Sequence, residues 1–165
     1  MVNTNKIVIS IGTNLGDKKS NLELAINHIN DKCDISQVSN IYETEPWGFN
    51  SKNNFLNMGI VLKWHEGPNN LLQFLKFIEF KMGRNTNHEN IGYQDRIIDL
   101  DILLYKNQKV SNADLVIPHP RIIERKFSLL ILRDLFQDQI IPEFNKTATS
   151  MLNETSDNSD VILFN

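Results

Sequence analysis

The 165-residue sequence lacks most of the features that mark a special environment. It has a single cysteine, Cys33, so no disulfide can form within the chain, and a lone thiol suits a reducing compartment. Cys33 itself reads as a small, partly buried hydrophobe. No stretch approaches the roughly 18 apolar residues of a membrane span, and Met1–Lys6 runs directly into a strand-like segment, so the cytoplasm is the expected compartment. Charge of one sign is also missing: 17 Lys and Arg face 20 Asp and Glu, a net charge of -3. That balance gives no global positive field for nucleic acid or an anionic membrane, so an anionic ligand must be met by local charges or a metal. There is no GxxxxGK[ST] loop, because Gly12 and Gly16 are followed by Asp17 and Lys18. Repeats and low-complexity tracts are absent too. With 41% hydrophobic and 22% charged residues, positions 1–165 fit one globular domain that needs no staples, expected to be a monomer acting on small molecules.

What is present is periodic. Ile7, Ile9 and Ile11 alternate before a turn through Asn14, Gly16 and Asp17, and Leu22, Ala25, Ile26 and Ile29 then form a helical stripe. Residues 35–44 read as one weaker strand ending at the turn Glu45–Gly48. In the next strand Leu56, Met58, Ile60, Leu62 and Trp64 share the core face, opposite Phe55, Asn57, Gly59, Val61 and Lys63. Pro68 opens a second helix with the stripe Leu71, Leu75, Ile78 and Met82, and Gly83 is placed to cap it. Residues 84–94 have no period and read as a mobile loop of lid length. Then Ile98, Leu100, Ile102 and Leu104 alternate against Ile97, Asp99, Asp101 and Leu103. A Pro118-His119-Pro120 corner, a helix over 127–136 and a polar tail with a short amphipathic piece near Met151 complete the chain. Strand, helix, strand, strand, helix, strand predicts an α+β fold, a βαββαβ antiparallel sheet with helices packed on it and an extra C-terminal helix.

The polar residues that break these patterns are the candidates for chemistry. Asp99 and Asp101 point the same way from one strand, their Cα atoms roughly 6.6 Å apart. Such a pair suits one or two Mg²⁺, which leave coordination positions for phosphate and water. A solvated strand face is the plain alternative, although Ile97 and Leu103 flank the pair. Arg84 and Arg96 bracket the loop and can take phosphate oxygens bidentately, or serve as surface charges. His119, held between prolines, is presented in a fixed direction either to a ligand or to its own turn. Asn57 beside Phe55 suits a flat heterocycle with donors and acceptors on its edge, and equally an ordinary cross-strand bond. His65 and His88 have no partners at ligand spacing.

Together, Ile11-Gly12-Thr13-Asn14-Leu15-Gly16, Tyr42-Glu43-Thr44-Glu45-Pro46, Phe55-Leu56-Asn57, Arg96-Ile97-Ile98-Asp99-Leu100-Asp101 and Ile117-Pro118-His119-Pro120-Arg121, followed by Arg125-Lys126-Phe127, resemble the 6-hydroxymethyl-7,8-dihydropterin pyrophosphokinase family over nearly the whole chain. The resemblance implies a ferredoxin-like fold and a folate-biosynthesis step in which the pterin hydroxymethyl attacks the β-phosphorus of ATP and AMP leaves. It implies two Mg²⁺ on Asp99 and Asp101. It places the pterin against Thr44, Pro46, Trp47, Phe55 and Asn57, with Phe127 stacked on one face. It places Lys76, Glu79 and Ile102 near the nucleotide, and Arg84, Arg96, His119 and Arg125 on the triphosphate or at the transfer step. Asn14 corresponds to a position near the pterin-side loop. Many members carry Arg-Trp-Gly-Pro where this chain has Gly92-Tyr93-Gln94-Asp95, and Pro120 replaces an aromatic residue of some members. The altered lid motivates a rival expectation, a catalytically weak pterin- or nucleotide-binding homologue. A domain that pairs with protein through an open sheet face is a third, against which the Asp pair stands.

Overall fold

The computed structural model describes residues 5–84 and 93–165. In chain order the elements are β1 (Ile7–Thr13), α1 (Lys18–Asn30), β2 (Ile35–Val38), β3 (Ile41–Thr44), β4 (Phe55–Leu62), α2 (Pro68–Lys81), β5 (Asp99–Tyr105), β6 (Val110–Ser111), β7 (Val116–Ile117), α3 (Lys126–Phe136), β8 (Ile140–Ile141), β9 (Lys146–Thr147), α4 (Ala148–Glu154) and β10 (Val161–Phe164). The main sheet is antiparallel in the order β10-β3-β4-β1-β5, with β2 also paired to β4. With β2 and β3 counted as one interrupted strand, this is the expected βαββαβ ferredoxin-like arrangement.

The interruption corrects the single strand expected over 35–44. Ser39 Oγ accepts the Gly59 N–H at 2.8 Å, and the backbone and side-chain amides of Asn40 both turn to Asp134 Oδ2 at 3.0 Å. Such local side-chain bonds compete with the ladder and divide the strand.

The sheet has two apolar faces. On the first, Ile9, Ile11, Met58, Ile60 and Leu100 meet Leu22, Ala25 and Ile29 of α1 and Leu71, Leu75 and Ile78 of α2. Proline in the first turn starts α2, and Gly83, at φ +88°, leaves it in a conformation that side chains with a Cβ resist. On the second face α3 lays Leu129, Ile131, Leu132 and Leu135 near Val8, Val61, Leu103 and Leu104. It comes close because Gly59 has no side chain: a Cβ there would lie 2.2 Å from Ile131 Cγ2.

Two further features differ from expectation. Leu104 belongs to the second face, not to the face of Ile98, Leu100 and Ile102. Ile9 pairs with Ile102 but Val8 pairs with Leu104, so Leu103 is an extra residue in a bulge that flips the alternation. The polar tail also ends in a strand: Val161–Phe164 forms β10 along β3. Among the described residues no helix is long and apolar enough to cross a membrane.

Candidate active site

The second face of the sheet is only half covered. Toward the start of α3 the strands present Ser10, Gly12, Asn57, Asp99 and Asp101 to a pocket with about 530 Å³ of open space. Thr44, Glu45, Trp47, Phe49, Tyr93, Arg96, Arg125 and Phe127 also line it, with Phe55 beside Asn57. A lining of aromatic rings with a few polar groups is typical of small-molecule sites.

One end of the pocket is lined by an amide and aromatic rings. Asn57 is 5% exposed, and its amide donates to Thr44 Oγ1 at 2.9 Å. This fixes the amide so that Oδ1 faces Gly12, where a Cβ would sit only 3.1 Å away. A side chain at position 12 would press on this oxygen, so the bare glycine eases the approach. Phe49 stands edge-on to Phe55 at 6.2 Å, and Phe127 lines the same pocket. The cross-strand bond expected as the plain reading of Asn57 is thus present, and it orients the amide at this end of the pocket.

The other end is charged. Asp99 is held by two guanidiniums, with Arg84 at 2.7 Å and Arg96 at 2.9 Å. Arg84 also pairs with Glu79, which reaches across from α2 and accepts the Leu100 backbone N–H at 2.7 Å. Burial, with Asp99 adding to it, pushes Glu79 up to about 7 against the pull of Arg84. Asp101 differs from Asp99: among the described residues no ion pair or hydrogen bond reaches its carboxylate. Burial, then the charges of Asp99 and Glu79, push it up to about 7. Burial opposes the charge on Arg84, but Asp99 and Glu79 outweigh it and raise its pKa.

Arg125 completes this end. Its guanidinium lies 4.7 Å from the Trp47 ring centre and 6.0 Å from that of Phe127, and it donates to Tyr93 Oη at 3.2 Å. Its Nε is buried without a partner among the described residues, an N–H that a ligand oxygen would satisfy. Arg121 stacks on Trp47 and Tyr93 at 4.9 and 5.0 Å. At the corner, His119 Nδ1 accepts the Arg121 backbone N–H at 3.2 Å, which leaves the ring proton on Nε2. The turn-holding reading of that histidine is thus present, and its Nε2 is left as a donor. Burial, followed by Arg125, lowers its pKa and favours the neutral ring.

The structure brings Thr44, Trp47, Phe55, Asn57, Phe127, Arg96, Asp99, Asp101 and Arg125 to one pocket, and joins Glu79 and Arg84 to it through Asp99. Pro46 instead lines a neighbouring groove, and Lys76 is exposed on α2 away from the pocket wall. The Ile102 side chain is in the first core at 3% exposed, so only its backbone is left for contact. Of the expected lid over 84–94, only Arg84, Tyr93 and Gln94 lie within the described residues; His88 and Gly92 fall outside them. Sequence reasoning missed Ser10 and Phe49 as lining residues. Ser10 is the lone polar position between Ile9 and Ile11, the same signal that revealed Asn57; Phe49 is an isolated apolar residue in a polar loop.

The 7,8-dihydro-6-hydroxymethylpterin-pyrophosphokinase (HPPK) family matches this chain over residues 8–137. A 2-amino-4-hydroxy-6-hydroxymethyldihydropteridine pyrophosphokinase of Bacillus subtilis is 35% identical over 144 residues, 86% of this chain and 81% of that protein. One of the same name from Porphyromonas gingivalis is 37% identical over 131 residues, 78% of this chain and 89% of that protein. Among solved structures, a wild-type HPPK-DHPS of Plasmodium falciparum superposes with a TM-score of 0.69 at 18% identity. The match covers 91% of this chain but 44% of that one, and shows the fold alone. With most of its length matched by the family, and relatives at this identity covered over most of theirs, the chain belongs to the 7,8-dihydro-6-hydroxymethylpterin-pyrophosphokinase family.

Proposed function

We propose that this chain transfers the pyrophosphoryl group of ATP to 6-hydroxymethyl-7,8-dihydropterin, giving the pterin diphosphate and AMP, as a single-domain Mg²⁺-dependent enzyme of folate synthesis. The observation that carries it is the joining, in one pocket, of an amide-edged aromatic slot to a cluster of guanidiniums and two adjacent carboxylates. The slot holds the pterin by the Asn57 amide and the ring of Phe127. The hydroxymethyl oxygen is thereby directed toward the charged end, where it bonds to the β-phosphorus as the bond to the α-phosphate oxygen breaks.

The residues present fit a magnesium site of a particular kind. Among the described residues no group of three or more His, Cys, Asp or Glu is placed to cage a metal. Asp99 and Asp101 alone suit Mg²⁺, which keeps waters and substrate phosphates as its other ligands, and among the described residues no hydrogen bond or ion pair reaches the Asp101 carboxylate. Bound there, the ion supplies positive charge to the phosphate oxygens. Arg84 and Arg96 would then trade Asp99 for the triphosphate, Arg125 Nε would gain an acceptor, and His119 Nε2 would donate. Glu79 holds β5 and Arg84 in place for this exchange.

The test is AMP formation from ATP and Mg²⁺ by the purified protein, with and without the pterin. Pterin-dependent AMP is expected. Binding of both ligands with no AMP would replace this reading by that of a binding homologue.

A further inference from the structure

The segment just before β5 carries an aspartate, Asp95, and the structure gives it a partner on each of two other loops. Asp95 Oδ1 accepts from Asn14 Nδ2 at 2.7 Å, and Asp95 Oδ2 accepts from Asn53 Nδ2 at 2.8 Å. Asn14 is 2% exposed and ties itself to the same segment by backbone: its N–H donates to the Arg96 carbonyl at 3.1 Å, and its Oδ1 accepts the Arg96 N–H at 2.8 Å. Arg96 is therefore fixed to the end of β1 whether or not position 95 has a side chain. Asn53 is exposed and sits at the far end of the loop that begins at Glu45 and carries Trp47 and Phe49. Its other tie to Asn14 is one longer bond, Asn14 Nδ2 to the Asn53 carbonyl at 3.2 Å. Donors from Ser51, Asn53 and Asn14 hold the Asp95 carboxyl below the usual carboxylate range, so it is ionised and its bonds are charge-assisted at neutral pH.

We infer that Asp95 is a positioning residue for the proposed reaction: it fastens the 45–54 loop, one wall of the slot, to the rigid platform formed by Asn14 and Arg96. Asp95 does not line the pocket and works through Asn53, with Ser51 beside it. The inference rests on the functional reading above for the name of the ligand in the slot, but not for the existence of the clasp. Its loss loosens the slot wall and leaves the arginines and carboxylates of the charged end in place. The penalty therefore falls on the pterin and not on the nucleotide.

The experiment compares wild type, Asp95→Ala, Asn53→Ala and the double variant. Asp95→Ala is expected to raise KM for the pterin about tenfold while kcat stays within about threefold, the signature of lost substrate binding. The dissociation constant for Mg²⁺ with a non-hydrolysable ATP analogue stays within about twofold, and the melting temperature within about 2 °C, because the clasp is at the surface. Asn53→Ala gives the same pattern and the double variant is no worse than the larger single, as expected for two residues of one device. Pterin KM unchanged within about twofold, or a loss shared equally by the nucleotide, overturns the inference. Hydrogen exchange on the same proteins keeps the test independent of turnover. Asp95→Ala should speed exchange across residues 51–54 and leave the Arg96 amide protected. If wild type forms no pterin-dependent AMP, the functional reading fails and exchange alone decides the clasp; unchanged exchange refutes it.

Discussion

Replacing Asp101 by asparagine is expected to make the unliganded protein more stable at pH 8 while removing its activity. In the folded chain the carboxyl is pushed up to about 7, first by burial and then by Asp99 and Glu79, against the weaker pull of Arg125 and Arg84. A group whose folded pKa lies above its unfolded value destabilises the fold once pH exceeds the unfolded pKa, and the cost grows until pH passes the folded one. From a reference near 3.8 to about 7, the ceiling at pH 8 is about 4 kcal/mol. Glu79 and Asp99 share the repulsion, and the new amide brings donors that need partners, so about half of that, ~2 kcal/mol, is the expected gain. For a chain of this length it corresponds to a rise in melting temperature of about 4–8 °C at pH 8. At pH 5 the folded carboxyl is already neutral and the gain shrinks to about 1 kcal/mol or less. Thermal unfolding of both proteins without magnesium, at pH 5 and pH 8, measures the difference, and AMP formation measures the loss of function. A variant no more stable than wild type at pH 8, or more stable by the same amount at both pH values, would refute the reasoning.

Asn57→Ala should raise KM for the pterin at least about tenfold by removing the buried amide edge, with nucleotide binding unaltered; calorimetry with each ligand separates the two. Gly59→Ala should destabilise the fold by about 2–3 kcal/mol, because its Cβ meets Ile131, and pairing it with Ile131→Ala should recover part of that in chemical denaturation. Binding of Mg²⁺ with an ATP analogue should strengthen as pH rises from about 6 to 8, since proton and metal compete for Asp101; a flat pH profile would place the ion elsewhere.

The polar interruptions of regular strands were the legible part of the site. Asn57 on β4 and the Asp99–Asp101 pair on β5 stand out because a period of two makes any exception visible. The helices of the first face were equally plain, since Leu71, Leu75 and Ile78 repeat along α2. What the sequence hid has tertiary causes. The bulge at Leu103 is set by the fit of β5 to β1, and the strand period continues through it without a mark. Asp95 meets Asn14 across 81 positions, a contact between loops with no period at all. β10 is four apolar residues after a run of Asn, Asp and Ser, too short for a pattern and given its strand form by the edge of β3.

The bare backbone at Gly59 has a bearing on substrate choice. Strand β4 runs beneath both halves of the second face, with Asn57 in the pocket and, one repeat along, Gly59 under α3. The seat of that helix thus marks the shoreline between dry interior and open slot, and the helix bears Phe127 in its first turn with Arg125 just ahead of it. A bulkier residue at 59 would tilt or slide the helix and so redraw the outline of the slot without altering any side chain that meets a ligand. Homologues with different tolerance for substituted pterins can therefore be sought by comparing the helix's footing as well as the pocket wall.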